Sequence, residues 1–222
     1  MCGRFTLRTP AGEIALLFQV TVPVLPPRFN IAPSQPLAPV RLNVDEGSRE
    51  LVMLRWGLVP FWADDATDGY KMINARAETV AKKPAFRKAF VHRRCLIAAD
   101  GFYEWQKRGG RKQPYLLRRK DGHPFAFAGL WEHWEGQGEV IESCTIVVTE
   151  ANQLLKPIHD RMPVILHSPD YASWLDPECR DREKLQRLLQ PFPSSELEAL
   201  PVSSLVNNPR NDVAECVKPL EE

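Results

Sequence analysis

The sequence has no stretch approaching the roughly 18 to 20 consecutive apolar residues of a membrane span, so no spanning helix is expected. Its opening residues, MCGRFTLRTP, lack an apolar segment behind the basic ones, so a secretory signal is not expected either. There is no C-x-x-C pair. The five cysteines (Cys2, Cys95, Cys144, Cys179 and Cys216) are odd in number and widely spread, which argues against a disulfide framework and a zinc knuckle. A reduced, intracellular and cytoplasmic setting is expected, with no metal ligands. Repeats, low-complexity runs and long linkers are also missing. With 222 residues, 44% of them hydrophobic and 26% charged, the chain suits one domain over 1–222 with a sizeable core.

Proline is abundant: 20 residues, which favours loops and sheet edges over long helices. Between Lys82 and Lys120 there are thirteen Lys or Arg against only Asp100 and Glu104, a local +11 inside a chain whose formal net charge is +1. Such asymmetry suits a face that meets a polyanion, or a pair of solvated loops.

Residues 11–20 read as a short, largely buried helix, and prolines 23, 26, 27, 33 and 36 force an extended path after it. Apolar runs then recur at 50–56, 94–99, 102–107, 114–119, 124–131 and 140–149. Turn signals at Gly109-Gly110 and Asp121-Gly122 predict strands joined partly by hairpins. Helical patterns return at 84–92, 168–175 and 180–190, and the acidic end is expected to be loose. Strands dominate and helices decorate them. The expected class is α+β, a mixed, largely antiparallel sheet or open barrel with flanking short helices.

Four segments carry candidate chemistry. Removing Met1 from M-C-G-R-F would leave Cys2 with an α-amine and a thiol on adjacent carbons. Their reference pKa values of about 7.7–8.0 and about 8.5 make both nucleophiles accessible near neutrality, and such a residue needs no separate lysine. Gly3 permits close backbone approach, and Phe5 offers an apolar anchor. In 74–78, an extended chain would place Asn74, Arg76 and Glu78 on one face, fit to orient a sugar oxygen and a phosphate. Glu104, between Tyr103 and Trp105, is a carboxyl whose charged form apolar rings would disfavour. His159 has Asp160 and Arg161 beside it, although neighbours on a strand would point apart. Each feature also has a plainer reading: a frayed end, a polar strand face, an exposed glutamate, a packed histidine.

In order and spacing these blocks resemble the SOS-response-associated peptidase-like (SRAP) family. The matching blocks are M-C-G-R-F, R-F-N-I-A-P (28–33), W-G-L-V-P-F-W (56–62), I-N-A-R-A-E-T (73–79), R-C-L-I-A-A-D-G-F-Y-E-W (94–105), K-Q-P-Y (112–115), G-L-W (129–131), I-H-D-R-M-P (158–163) and V-N-N-P-R-N-D (206–212). The resemblance implies covalent capture of abasic sites in single-stranded DNA, near junctions with duplex, by a monomer without a cofactor. It implies a thiazolidine formed by Cys2, lyase-like Schiff-base chemistry, proton transfer by Glu104 and His159, and Asn74 holding the lesion and the terminus. Arg4, Arg76 and Arg161 would grip phosphates, Trp62 would stack on a base, and Pro33 and Thr149 would line the pocket. The remaining cysteines are assigned to packing. Two alternatives stay open: a cysteine peptidase acting mainly on its own N-terminus, and a non-covalent reader of damaged DNA.

Overall fold

The structure, a computed structural model, describes residues 2–220. The chain begins with β1 (Phe5–Leu7), α1 (Ala11–Phe18), β2 (Arg28–Ile31), β3 (Pro36–Leu37), β4 (Val40–Asn43), β5 (Ser48–Leu51), β6 (Leu54–Trp56) and β7 (Asn74–Arg76). It continues through α2 (Arg87–His92), β8 (Arg94–Ala99), β9 (Gly101–Arg108), β10 (Arg111–Arg119), β11 (Phe125–Gly136) and β12 (Glu139–Glu150). The last elements are β13 (Arg161–Pro163), β14 (Ile165–Leu166), α3 (Tyr171–Leu175), α4 (Arg182–Arg187) and β15 (Leu197–Pro201).

Two sheets result. The first runs β15-β10-β9-β1-β2, all antiparallel. The second has β3-β6-β12-β11-β8-β4-β5 as its path, with β7 and β13 also on β12 and β14 on β11. Only β6 and β7 run parallel to β12, so this sheet is mixed, as the α+β reading expects.

The central apolar runs are nearly continuous because both of their faces are covered. Cys95, Ile97 and Ala99 of β8, with Ile146 and Val148 of β12, meet Phe5, Phe102 and Leu117 of the first sheet. The alternate residues Leu96, Ala98 and Val147 meet Phe18 of α1, Phe90 of α2, Trp174 of α3 and Leu185 of α4. Among the described residues no helix is long and apolar enough to cross a membrane.

Several predicted elements come out shorter or differently joined. The 50–56 run breaks into β5 and β6, and the helices at 84–92 and 180–190 shrink to Arg87–His92 and Arg182–Arg187. Gly109-Gly110 is the predicted hairpin turn, both φ positive (+50° and +79°), with Arg108 opposite Arg111. Asp121-Gly122 instead carries the chain from β10 in the first sheet to β11 in the second. The β11–β12 hairpin turns at Gln137-Gly138, φ +54° and +80°. The expected loose end is held as far as Leu220, whose N–H donates to Pro201 O at 2.8 Å; residues 221–222 lie outside the described residues.

Candidate active site at the first strand

β1 is inserted between β2 and β9, with Phe5 opposite both Ile31 and Phe102. The Phe5 ring packs edge-on against Trp56 and Phe127, centroids 5.3 and 5.6 Å away. Tyr103 N–H donates to Arg4 O at 2.9 Å, so continuing the antiparallel register carries residues 2–3 alongside Glu104 and Trp105. Behind the strand, Asp100 accepts from Thr6 Oγ1 (2.5 Å), Arg8 Nε (3.0 Å), Thr9 N (2.9 Å), Thr9 Oγ1 (3.1 Å) and the Arg8 backbone N–H. One buried carboxylate thus locks the segment that aims Cys2.

The four residues read as chemical converge here. Cys2 is 0% exposed and belongs to the core between the sheets. Asn74, placed on β7 by its parallel pairing with Ile146 of β12, donates from Nδ2 to Cys2 O at 2.8 Å. Its Oδ1 is buried and has no hydrogen-bond partner among the described residues. Glu104 is 2% exposed, and burial pushes its carboxyl up to about 7. Burial, reinforced by the negative charge of Glu104, pushes the Cys2 thiol well above its ordinary value, while the Arg4 backbone N–H pulls it the other way.

His159 comes from the 151–160 loop joining β12 to β13, a loop closed by Ala151 N–H to Asp160 O at 3.0 Å. Its Nδ1 accepts the Arg161 N–H at 3.0 Å, so the neutral ring carries its proton on Nε2. Nε2 lies 4.0 Å from Glu104 Oε2. Burial holds the ring below its ordinary pKa, which keeps it neutral at pH 7. Asp160 Oδ1 also lies 3.0 Å from Nδ1, because this stretch is loop and not strand; only the protonated ring can donate to it. A carboxyl pushed toward neutrality and an imidazole N–H thus lie 4.0 Å apart.

The residues read as DNA contacts are placed less uniformly. Arg76 is exposed at the end of β7, and Arg161 is half-buried and ion-paired with Glu78. Glu78 lies in a turn beyond β7 and does not share a strand face with Asn74 and Arg76: the strand ends at Arg76, and Ala77 N–H bonds Val148 O at 2.8 Å. Arg4 is partly engaged already, donating from Nη1 to Asn30 Oδ1 (2.8 Å) and Val206 O (2.7 Å). Thr149 is buried on β12, and Pro33 is half-buried in a turn. Trp62 is 50% exposed, so it is not a core side chain. Its loop starts where Gly57 (φ +128°) passes Gly69 so closely that a Cβ on Gly57 would sit 2.6 Å from Gly69 O.

A cavity of about 460 Å³ opens over Glu104 and His159, and Arg4, Trp105, Lys107, Lys112 and Asn207 complete its wall. Sequence reading missed the last four as site residues. Lys107 and Lys112 face each other across the β9–β10 hairpin, a pairing that counting back from Gly109-Gly110 would have shown. Trp105 Nε1 donates to Asn207 Oδ1 at 2.7 Å, a contact 102 positions apart in the chain that no local signal reveals. Among the described residues no three His, Cys, Asp or Glu side chains are gathered as a metal site requires.

The SOS response associated peptidase (SRAP) family model matches residues 1–209. The chain is 46% identical over 226 residues to the abasic site processing protein YoqW of Bacillus subtilis, covering 98% of this chain and 99% of that one. It is 32% identical to the abasic site processing protein YedK of Escherichia coli, covering 99% and 100%. The chicken abasic site processing protein HMCES is 34% identical over 82% of this chain and 61% of its own length. A crystal structure of a protein from Bacteroides thetaiotaomicron superposes with a TM-score of 0.87 at 26% identity, over 99% of this chain and 100% of that one. By the family model over residues 1–209 and by these likenesses along nearly its whole length, the chain belongs to the SRAP family.

Proposed function

We propose that this protein processes abasic sites in single-stranded DNA, near junctions, by condensing its N-terminal cysteine with the lesion. The similarity to proteins named for abasic site processing along nearly the whole chain supports the substrate class. The carrying observation is the seat of Cys2, held by Asn74 and beside a buried Glu104 whose proton exchanges near pH 7.

The scheme begins with removal of Met1, which lies outside the described residues. The ring-opened deoxyribose presents an aldehyde at C1′, and the Cys2 amine adds to it. Glu104 donates the proton with which the hydroxyl leaves as water, forming the imine. The thiol sulfur then adds to the imine carbon and its proton goes to nitrogen, closing a thiazolidine with net loss of one water. A thiol held neutral by burial leaves the first attack to the amine. His159 passes the proton at O4′ during ring opening, and Asn74 holds the terminus. Arg76, Arg161 and the remaining donors of Arg4 hold phosphates, Trp62 stacks on a flanking base, and Pro33 and Thr149 shape the pocket.

Mixing protein with an abasic oligonucleotide and running a denaturing gel tests this. A shifted band is expected with the lesion and none with an unmodified strand. Cys2→Ala, or one residue inserted between Met1 and Cys2, should remove it. Persistence of the band in Cys2→Ala, or its absence in the wild type, sinks the proposal. A general cysteine peptidase would instead show turnover of a fluorogenic peptide that is lost in Cys2→Ala.

A further inference from the structure

The tip of the β9–β10 hairpin holds two like-charge pairs in direct cross-strand register: Lys107 opposite Lys112, and Arg108 opposite Arg111. Like charges directly opposite destabilise a hairpin. All four side chains are exposed, and among the described residues none forms an ion pair. Elsewhere the same strand settles its cations conventionally: Arg118 pairs with Glu198, and Arg119 with Asp121. The tip is therefore an unneutralised cationic fork, and no contact within the fold accounts for it.

The fork is joined to the active site. Lys107 and Lys112 line the cavity that contains Glu104 and His159. Gln106 Nε2, next to Lys107, donates to Pro157 O at 3.0 Å, tying the hairpin to the loop that carries His159. Arg76 and Arg161 lie elsewhere, at the β7 and β13 strands beside β12.

We infer that this hairpin is a second phosphate-binding element, holding the backbone of the nucleic acid strand on one side of the reacting nucleotide while Arg76 and Arg161 hold the other. The inference rests on the proposed strand-capturing function and adds a path for the strand. Bound phosphates would offset the repulsion between the paired cations. They would also offset part of the charge that, after burial, holds the His159 ring low, since Lys107 is among those charges.

Equilibrium binding, measured in a Cys2→Ala background so that no covalent step intervenes, separates this inference from the chemistry. Abasic oligonucleotides with both arms, only the 5′ arm or only the 3′ arm are compared across a salt series. Arg108→Ser/Arg111→Ser should reduce the slope of log affinity against log salt by about 1.4, and adding Lys107→Ser/Lys112→Ser should bring the loss to about 2.8. The loss should follow one arm and shrink when that arm is removed. The quadruple variant should unfold at the same temperature as the parent or higher, because repulsion is relieved. An unchanged slope, an equal loss with either single arm, or a lowered melting temperature overturns the inference. A wild type that forms no covalent band while these slopes behave as stated would instead overturn the proposed chemistry alone.

Discussion

Asp100, just before β9, and Glu104, within it, sit four residues apart and are almost equally buried, 5% and 2% exposed. Their surroundings differ. Asp100 is ringed by the hydroxyl and N–H donors of Thr6, Arg8 and Thr9, all supplied by the fold. Glu104 faces a cavity, with His159 Nε2 4.0 Å away and a carboxyl pushed up to about 7 by burial. Burial alone therefore does not mark a site. A carboxylate surrounded by fixed donors anchors the chain, and one whose proton exchanges at working pH can do chemistry. Two tryptophans repeat the contrast at the neighbouring loop. Trp134 is buried and donates to Ala63 O at 2.7 Å, while Trp62, one residue earlier in that loop, is half-exposed.

Replacing each member of these pairs would break or sharpen the contrast. Asp100→Ala should cost the most stability, about 3–5 kcal/mol, because several buried donors and the Arg8 charge lose their partner. Urea unfolding would measure it, and a cost below about 1 kcal/mol would dissolve the distinction. Glu104→Gln should slow crosslinking by about 10²–10⁴-fold, read from gel time courses.

Stability should move the opposite way in that variant. The folded carboxyl holds its proton up to about pH 7, whereas the unfolded one releases it near its ordinary value of 4.5. The stability this proton supplies is complete below about pH 4.5 and is lost as pH rises through about 7, a decline of about 3 kcal/mol. Glu104→Gln should flatten that window; an unaltered pH profile would show that Glu104 is not its source.

At the loop, Trp62→Ala should weaken single-strand binding by about 1–3 kcal/mol without shifting the unfolding midpoint. Trp134→Phe should do the reverse, costing about 1 kcal/mol of stability through the lost indole hydrogen bond. Fluorescence titration and thermal melts on both variants would show whether the two rings divide their tasks in this way.

Much of the fold was legible beforehand. The runs at 94–99, 102–107, 114–119 and 140–149 became β8, β9, β10 and β12 because apolar, β-favouring residues bounded by turn residues permit few alternatives. The ends of the short helices were not legible, since α2 and α4 are each only six residues long and take their limits from tertiary contacts. Gln137-Gly138 escaped notice because glutamine is not a turn residue by type; only its pairing strands force φ to +54°. Within the site, Cys2, Asn74, Glu104 and His159 could be singled out by residue type and local setting. Arg4 read as a phosphate contact, and its bonds to Asn30 and Val206 depend on partners 26 and 202 positions away.

The sequence by itself determined the nearly continuous apolar runs that make both faces of β8 and β12 apolar, the hairpin at Gly109-Gly110 and the residue types available for chemistry, because these depend on neighbours a few positions apart. Only the tertiary structure decided which carboxylate would be an anchor and which would titrate near neutrality, and that a hairpin tip and an asparagine at 207 would wall the same cavity. Burial and electrostatics are summed over groups brought together from distant parts of the chain, and no local pattern encodes that sum.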